Sequence, residues 1–244
     1  MTDPVSYTRE GEIAVLTVDN PPVNALGHAV RKALVAAFDR FATDDDARIA
    51  VLTGAGRLFL GGADISEFGK PPQDPWLPEV IDRIEALDKP VVIGVQGNAT
   101  GIGTTLLLHA DLVVAADDAR FQTAFINLGL VPEAGSSLLL PALIGRQNAN
   151  RLLLAGDTLT AQEAERCGLV AYRVTPDELE STAQALAQRL AEKSPAAMAM
   201  TKQLLRQSDA AIKTQIEKES VLFAERMFSE DTRERFAGFL KGGK

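Results

Sequence analysis

Lys89-Pro90-Val91-Val92-Ile93-Gly94-Val95-Gln96-Gly97-Asn98-Ala99-Thr100-Gly101-Ile102-Gly103-Thr104-Thr105 is the stretch that decides the fold. Val91, Val92, Ile93 and Val95 read as a strand buried on both faces, as in a parallel sheet covered by helices. Residues 90–110 carry no Asp, Glu, Lys or Arg, a length comparable to the ~20 residues of a membrane span. The stretch fails as a span. Gln96, Asn98, Thr100, Thr104, Thr105 and His109 are polar, and Pro90 with Gly94, Gly97, Gly101 and Gly103 interrupts any helix. A buried strand, a glycine-rich turn and a helix starting near Gly101 and running to Leu108 account for it.

The same alternation extends in both directions. Upstream, residues 13–19 form a β-branched strand closed by Asn20-Pro21-Pro22, since prolines cannot donate to a ladder. A helix follows over 28–41, with Val30, Leu34, Ala37, Phe38 and Phe41 on one face, then a strand over 49–53. The glycine-rich segment 54–69 reads as a functional loop, Pro71, Pro72, Pro75 and Pro78 make the next stretch irregular, and a helix covers 79–87. Downstream, 112–116 is a strand, and Arg120-Phe121-Gln122 extends the sheet beyond the Asp117-Asp118 turn. Short helices are expected over 136–144, 148–155 and 161–167, the last opened by a Thr160/Glu163 capping box. A strand over 170–174 and a helix from Pro176 to about Glu192 complete an α/β core over 1–192, with parallel pairing and right-handed crossovers. Residues 193–244 form a C-terminal helical region. In 210–228 the apolar set Ile212, Ile216, Val221, Phe223, Ala224 and Phe228 is too broad for one narrow stripe, which leaves open packing within the subunit or against a partner.

Length and composition narrow the chemistry. The 244 residues suit one large domain, and 46% hydrophobic with 24% charged residues is ordinary globular usage. With 25 basic and 33 acidic side chains the net charge is −8, which disfavours nucleic acid as a partner. One cysteine, Cys167, and two histidines leave no metal cluster or disulfide. Residues 1–10 have neither the apolar core of a secretory signal nor an arginine-rich presequence, so a cytoplasmic location is expected and no membrane partner.

Chemistry must then come from carboxylates, hydroxyls or backbone groups. Gly61-Gly62-Ala63-Asp64 and the 97–105 loop follow successive strands, and the helix start at Ile102 leaves N–H groups unpaired. One N–H from each loop would make an oxyanion hole; tight strand-to-helix turns alone would also use such glycines. The second loop matches neither Gly-x-Gly-x-x-Gly nor a P-loop. Among the carboxylates, Asp111, Asp117 and Asp118 sit at junctions and turns. Glu133, in Gly129-Leu130-Val131-Pro132-Glu133-Ala134-Gly135-Ser136-Ser137, lies in an apolar strip before a helix. It is either a desolvated base with raised pKa or a surface helix-start glutamate. His109 reads as a packed or hydrogen-bonded helix-end residue, His28 as a helix-start residue and Cys167 as a small buried side chain. Ser136 and Ser137 lack a histidine nearby in sequence, and Trp76 is weak evidence for a pocket.

Asn20-Pro21-Pro22-Val23-Asn24-Ala25-Leu26, Gly61-Gly62-Ala63-Asp64-Ile65, Lys89-Pro90-Val91 through Gly97, and the Gly129 to Gly135 segment resemble the enoyl-CoA hydratase/isomerase (crotonase) superfamily in order and spacing. The resemblance covers nearly the whole chain. It implies a spiral of ββα units with a C-terminal helical trimerisation region, hence a homotrimer or a hexamer built as a dimer of trimers. An acyl-CoA thioester is the implied substrate, with no separate cofactor because coenzyme A belongs to the substrate. The backbone N–H groups of Ala63 and Ile102 correspond to the oxyanion hole. Ala25, Leu26, Asp64 and Ile65 lie on loops similar to the CoA-contacting ones.

The departures bear on the reaction. Hydratases of this superfamily use two glutamates, and ungapped matching puts Thr105 and Phe125 at those positions, lining the substrate pocket without a carboxylate. Glu133, in a Pro-Glu-x-Gly-Ser-Ser setting, resembles the catalytic segment of Δ3,Δ2-enoyl-CoA isomerases. The expectation is an isomerase of fatty-acid β-oxidation type that moves the double bond of 3-enoyl-CoA to 2-trans-enoyl-CoA. The alternatives are an atypical hydratase, a coenzyme-A hydrolase, and a non-catalytic acyl-CoA-binding or RNA-binding homologue. Some of the basic residues should surround the pocket mouth to meet the CoA phosphates.

Overall fold

The computed structural model describes residues 3–68, 76–206 and 209–242, so the proline-rich stretch expected around Pro71, Pro72 and Pro75 lies outside the described residues. Its elements run β1 (Val5–Glu10), β2 (Ile13–Val18), α1 (His28–Thr43), β3 (Ile49–Gly54), α2 (Leu77–Glu85), β4 (Val91–Val95), β5 (Asn98–Thr100), α3 (Ile102–Thr105), β6 (Leu112–Ala116), β7 (Arg120–Gln122), α4 (Ser136–Asn150), β8 (Leu159–Thr160), α5 (Ala161–Cys167), β9 (Tyr172–Val174), α6 (Leu179–Ala191), α7 (Pro195–Leu205), α8 (Asp209–Met227) and α9 (Glu230–Gly242). Six strands form one sheet in the order β1-β2-β3-β4-β6-β9. Only the β1–β2 hairpin is antiparallel; every other pair in that sheet is parallel, with Ala50 opposite Val91 and Ile93 opposite Val113.

The expectation that residues 120–122 extend this sheet is corrected. β7 pairs instead with β5 and β8 in a second, three-stranded sheet. Isolated bridges Leu26↔Ala63 and Leu60↔Ala99 continue that second layer across the loops. Each turn of the chain thus climbs one strand of the large sheet, crosses to the small one and returns through helix, the ββα spiral expected above. Asn98–Thr100 is too short and too polar to stand out as a strand in the sequence. The long helix expected from Gly101 is also shorter: α3 ends at Thr105 and a 3-10 turn covers Leu106–His109.

Two apolar layers flank the large sheet. Leu16, Leu52, Ile93 and Phe121 belong to the main core, with Val30, Leu34, Phe38 and Phe41 of α1. Ile13, Val51, Val92 and Val114 face the other way and meet Leu179, Ala183, Leu186 and Ala187 of α6. The strands are therefore apolar on both faces, the reason their sequence shows no alternation. The Thr160/Glu163 capping box is present. Gly145, with φ 76°, interrupts α4, which accounts for the separate helices expected on its two sides.

The C-terminal helices pack on their own chain. Lys202 of α7 is buried and donates to Asp111 (2.6 Å) and to the Lys89 carbonyl (3.0 Å). Ile212 and Ile216 of α8 join the main core, while Val221, Leu222, Met200, Leu204 and Leu205 stay exposed. The broad apolar set of 210–228 thus divides into a buried and an exposed part. Among the described residues no helix is long and apolar enough to cross a membrane.

Candidate active site

The two glycine loops lie side by side. Thr100 N–H donates to the Leu60 carbonyl (2.9 Å) and Leu26 N–H to the Gly62 carbonyl (2.8 Å). A Cβ on Gly101 would lie 3.9 Å from the Gly62 Cα. Gly62 (φ 106°) and Gly101 (φ 55°) adopt backbone conformations that L side chains resist, and each is followed by one residue of the expected donor pair. Those residues are Ala63, exposed, and Ile102, the first residue of α3 and 2% exposed. Neither N–H has an acceptor among the described residues. Ile102 N–H is thus an unsatisfied donor at a buried helix start.

Thr105 ends the same short helix. It is fully buried, its hydroxyl lies 3.5 Å from the Gly101 carbonyl, and it donates to Glu133 Oε1 at 2.9 Å. Glu133 keeps partial solvent contact, yet its carboxyl is surrounded by protein. Desolvation pushes its pKa up to about 8; the Thr105 hydrogen bond opposes this and the charge of Glu219 adds to it. Between a desolvated base and a surface helix-start glutamate, the desolvated carboxyl is the one present. Phe125, 6% exposed, puts its ring 3.9 Å from where a Gly101 Cβ would be, an apolar wall beside the hole.

Ala25 and Leu26 run alongside Ala63, Asp64 and Ile65 through the Leu26↔Ala63 bridge. Asp64 Oδ1 accepts from Ser66 N–H (2.9 Å) and opens the turn that Ile65 begins. All nine residues singled out from the sequence therefore fall along one seam. Beside it Phe68 meets Phe236 of α9 edge to face at 5.1 Å. A concavity of about 900 Å³ lies elsewhere, lined by Val15, Thr17, Val51, Thr53, Leu179 and Ala183. Its lining includes none of these nine residues.

Sequence reasoning missed two supports of Glu133. His109 lies between Glu85 (Nδ1 to Oε1, 2.6 Å) and the Ala134 carbonyl (Nε2, 2.9 Å). The ring thus bridges α2 and the backbone beside Glu133. Glu219, 4% exposed on α8, accepts from Gly135 N–H (2.6 Å), Ser137 N–H (2.9 Å) and the Ser137 hydroxyl (2.5 Å). Its signal was present: Ile212, Ile216 and Glu219 share one helix face by spacing, a carboxylate inside an apolar stripe. Among the described residues no group of three or more His, Cys, Asp or Glu is arranged to hold a metal ion.

Residues 8–244 match the family model described as enoyl-CoA hydratase/isomerase. The chain is 35% identical over 240 residues to a 2,3-dehydroadipyl-CoA hydratase of Escherichia coli (strain K12), covering 96% of this chain and 94% of that protein. It is 36% identical over 217 residues to a carnitinyl-CoA dehydratase of Salmonella typhi, covering 84% of this chain and 81% of the relative. Among solved structures, an enoyl-CoA hydratase/isomerase from Pseudoalteromonas atlantica T6c superposes with a TM-score of 0.93 at 34% identity, over 98% of this chain and 97% of that one.

Proposed function

The chain belongs to the enoyl-CoA hydratase/isomerase family, and on that premise we propose that it is a Δ3,Δ2-enoyl-CoA isomerase with Glu133 as its single proton carrier. The observation that carries this reading is the desolvated Glu133 carboxyl, joined through Thr105 to the helix turn whose first free N–H is that of Ile102. The thioester oxygen sits between the N–H groups of Ala63 and Ile102. Glu133 takes a proton from C2 of the 3-enoyl chain, and the electron pair spreads into a dienolate whose oxygen charge the two donors hold. The protonated Glu133 then returns its proton to C4, leaving the double bond between C2 and C3. A carboxyl with pKa near 8 suits both steps, being neither too weak a base nor too weak an acid near neutrality.

Hydration is the second reading, and the names of the hydratase and dehydratase relatives favour it. Adding water requires a second group to hold that water. Thr105 and Phe125 stand where the resemblance expects carboxylates, and both oxygens of Glu219 are engaged by Gly135 and Ser137. Phe125 keeps water away from the hole instead. We further assign the exposed apolar residues of α7 and α8 to a homotrimer interface, measurable by light scattering in solution.

Incubating the protein separately with 3-enoyl-CoA and 2-enoyl-CoA of several chain lengths tests the reaction. An isomerase converts the former to the conjugated thioester with no change of mass, and Glu133→Gln abolishes this while acyl-CoA still binds. A mass gain of one water on 2-enoyl-CoA, at a rate above isomerisation, overturns the assignment in favour of a hydratase.

A further inference from the structure

The segment carrying Glu133 is held at both ends by the C-terminal helices. At its start, the Gly129 carbonyl accepts from Arg226 Nε (2.8 Å) and from the Thr232 hydroxyl (3.1 Å). At its end, Glu219 takes the N–H groups of Gly135 and Ser137, and Gln215 donates to the Ser137 hydroxyl (2.8 Å). Ile212 and Ile216 close over Gly135, each 3.5 Å from where its Cβ would be. The helix begun at Ser136 has no side-chain cap of its own, since its N-cap is Gly135. Ser136 N–H bonds the Glu133 carbonyl (3.1 Å) and Leu138 N–H that of Gly135 (3.0 Å). Without Glu219, therefore, the N–H groups of Gly135 and Ser137, at the positive dipole end, would draw a carboxylate within reach. Glu133, three residues before Ser136, is the acidic residue nearest to it in sequence.

We propose that Glu219 is a positioning residue for Glu133: by filling the N-terminus of α4 from the C-terminal helix, it denies that site to Glu133 and leaves the Glu133 carboxyl free to exchange protons with substrate. A buried negative charge on Glu219 also opposes ionisation of Glu133, in the direction found for its pKa. The other charged groups that bear on the segment are His109, which meets the Ala134 carbonyl, Arg226, which meets that of Gly129, and Asp231 and Arg235 of α9, which face Gly129 and pair with each other. None meets the Glu133 carboxyl itself, whose side-chain hydrogen bond comes from Thr105. The catalytic importance of Glu133 comes from the proposed function; the occupation of the helix start by Glu219 stands on the geometry alone.

The test uses the full chain labelled with carbon-13 at the glutamate carboxyls. The Glu133 signal is the one missing in Glu133→Gln, and in the unsubstituted protein it should titrate at about 8. Glu219→Gln removes the like charge and weakens the capping, so the Glu133 midpoint should fall by about one unit; in Glu219→Asp, which keeps the charge, it should stay high. The pH midpoint of proton exchange at C2 of a bound acyl-CoA should fall with it in Glu219→Gln. Circular dichroism confirms that each variant is folded. An unchanged Glu133 midpoint in folded Glu219→Gln, or equal shifts in the Gln and Asp variants, overturns the proposal. A high midpoint that responds to Glu219 in a protein without isomerase activity would instead refute the proposed function and leave this inference standing.

Discussion

The Thr105 hydroxyl donates to Glu133 Oε1 at 2.9 Å, so the residue that stands where a hydratase glutamate is expected serves as a partner to the one remaining carboxyl. Donation to the carboxylate favours the charged form and holds the Glu133 pKa lower than burial alone would set it. Thr105→Val keeps the shape and removes the donor. Its expected effect is a rise of about one unit in the Glu133 midpoint, and hence about a tenfold loss of rate at pH 7, where less base is ionised. The pH profile of kcat/KM checks this; a profile that does not move would show that the hydroxyl only fills space.

Gly101 has φ 55° and ψ −119°, a conformation outside the regions that alanine occupies. Gly101→Ala should cost about 1–3 kcal/mol in backbone strain and turn the Ile102 N–H away from the thioester oxygen. Loss of one oxyanion donor typically lowers kcat by about a hundredfold or more. The predicted pattern is a large fall in kcat with acyl-CoA binding nearly unchanged, measured by turnover and calorimetry on the same preparation. Equal losses in both would place Gly101 in binding instead.

The parallel sheet was legible because its strands are apolar on both faces: Val91, Val92 and Ile93 leave little else for that stretch to be. Glu133 stood out in the sequence because a lone carboxyl in an apolar strip is uncommon and local, whereas Ala63 and Ile102 were singled out by the family resemblance, the glycines alone fitting tight turns equally well. The small second sheet was not, since Asn98–Thr100 and Arg120–Gln122 hold their places through pairing with each other and with Leu159–Thr160 rather than through any pattern of their own. Glu219 escaped for a related reason. Its role depends on Gly135, 84 residues away, and only the folded chain brings them within 2.6 Å.

His109 joins Glu85 of α2 to the backbone of Ala134, which has φ 57°. Burial pushes the Glu85 pKa up, but the hydrogen bond and charge of His109 with help from Arg206 outweigh it and hold the carboxyl below its ordinary 4.5. A carboxyl with a lowered folded-state pKa stabilises the protein above its unfolded value, and that contribution is lost as pH falls through the folded one. His109→Phe removes both hydrogen bonds and should cost about 3 kcal/mol at neutral pH. Because the unsubstituted protein loses this contribution in acid, the deficit should narrow as pH falls below 4.5. Urea unfolding at pH 7 and at pH 4 measures both; a neutral variant would mean that Arg206 alone satisfies Glu85.

Glu133 titrates in the opposite sense, and this gives a prediction on stability. Its folded-state pKa of about 8 lies above the ordinary 4.5, so between these values the folded chain holds a proton that the unfolded chain releases. The associated stability is fully present below pH 4.5 and is lost as pH rises through 8. Glu133→Gln is neutral at every pH and escapes that loss. The variant should match the unsubstituted protein near pH 5 and become the more stable of the two above pH 8, with partial exposure of the site holding the difference to about 2 kcal/mol. Such a gain on removing a group is what an active-site residue kept for chemistry rather than for folding should give. Urea unfolding from pH 5 to pH 9 decides it: if the two curves stay parallel, Glu133 does not ionise from a desolvated site, and the proton shuttle loses its base.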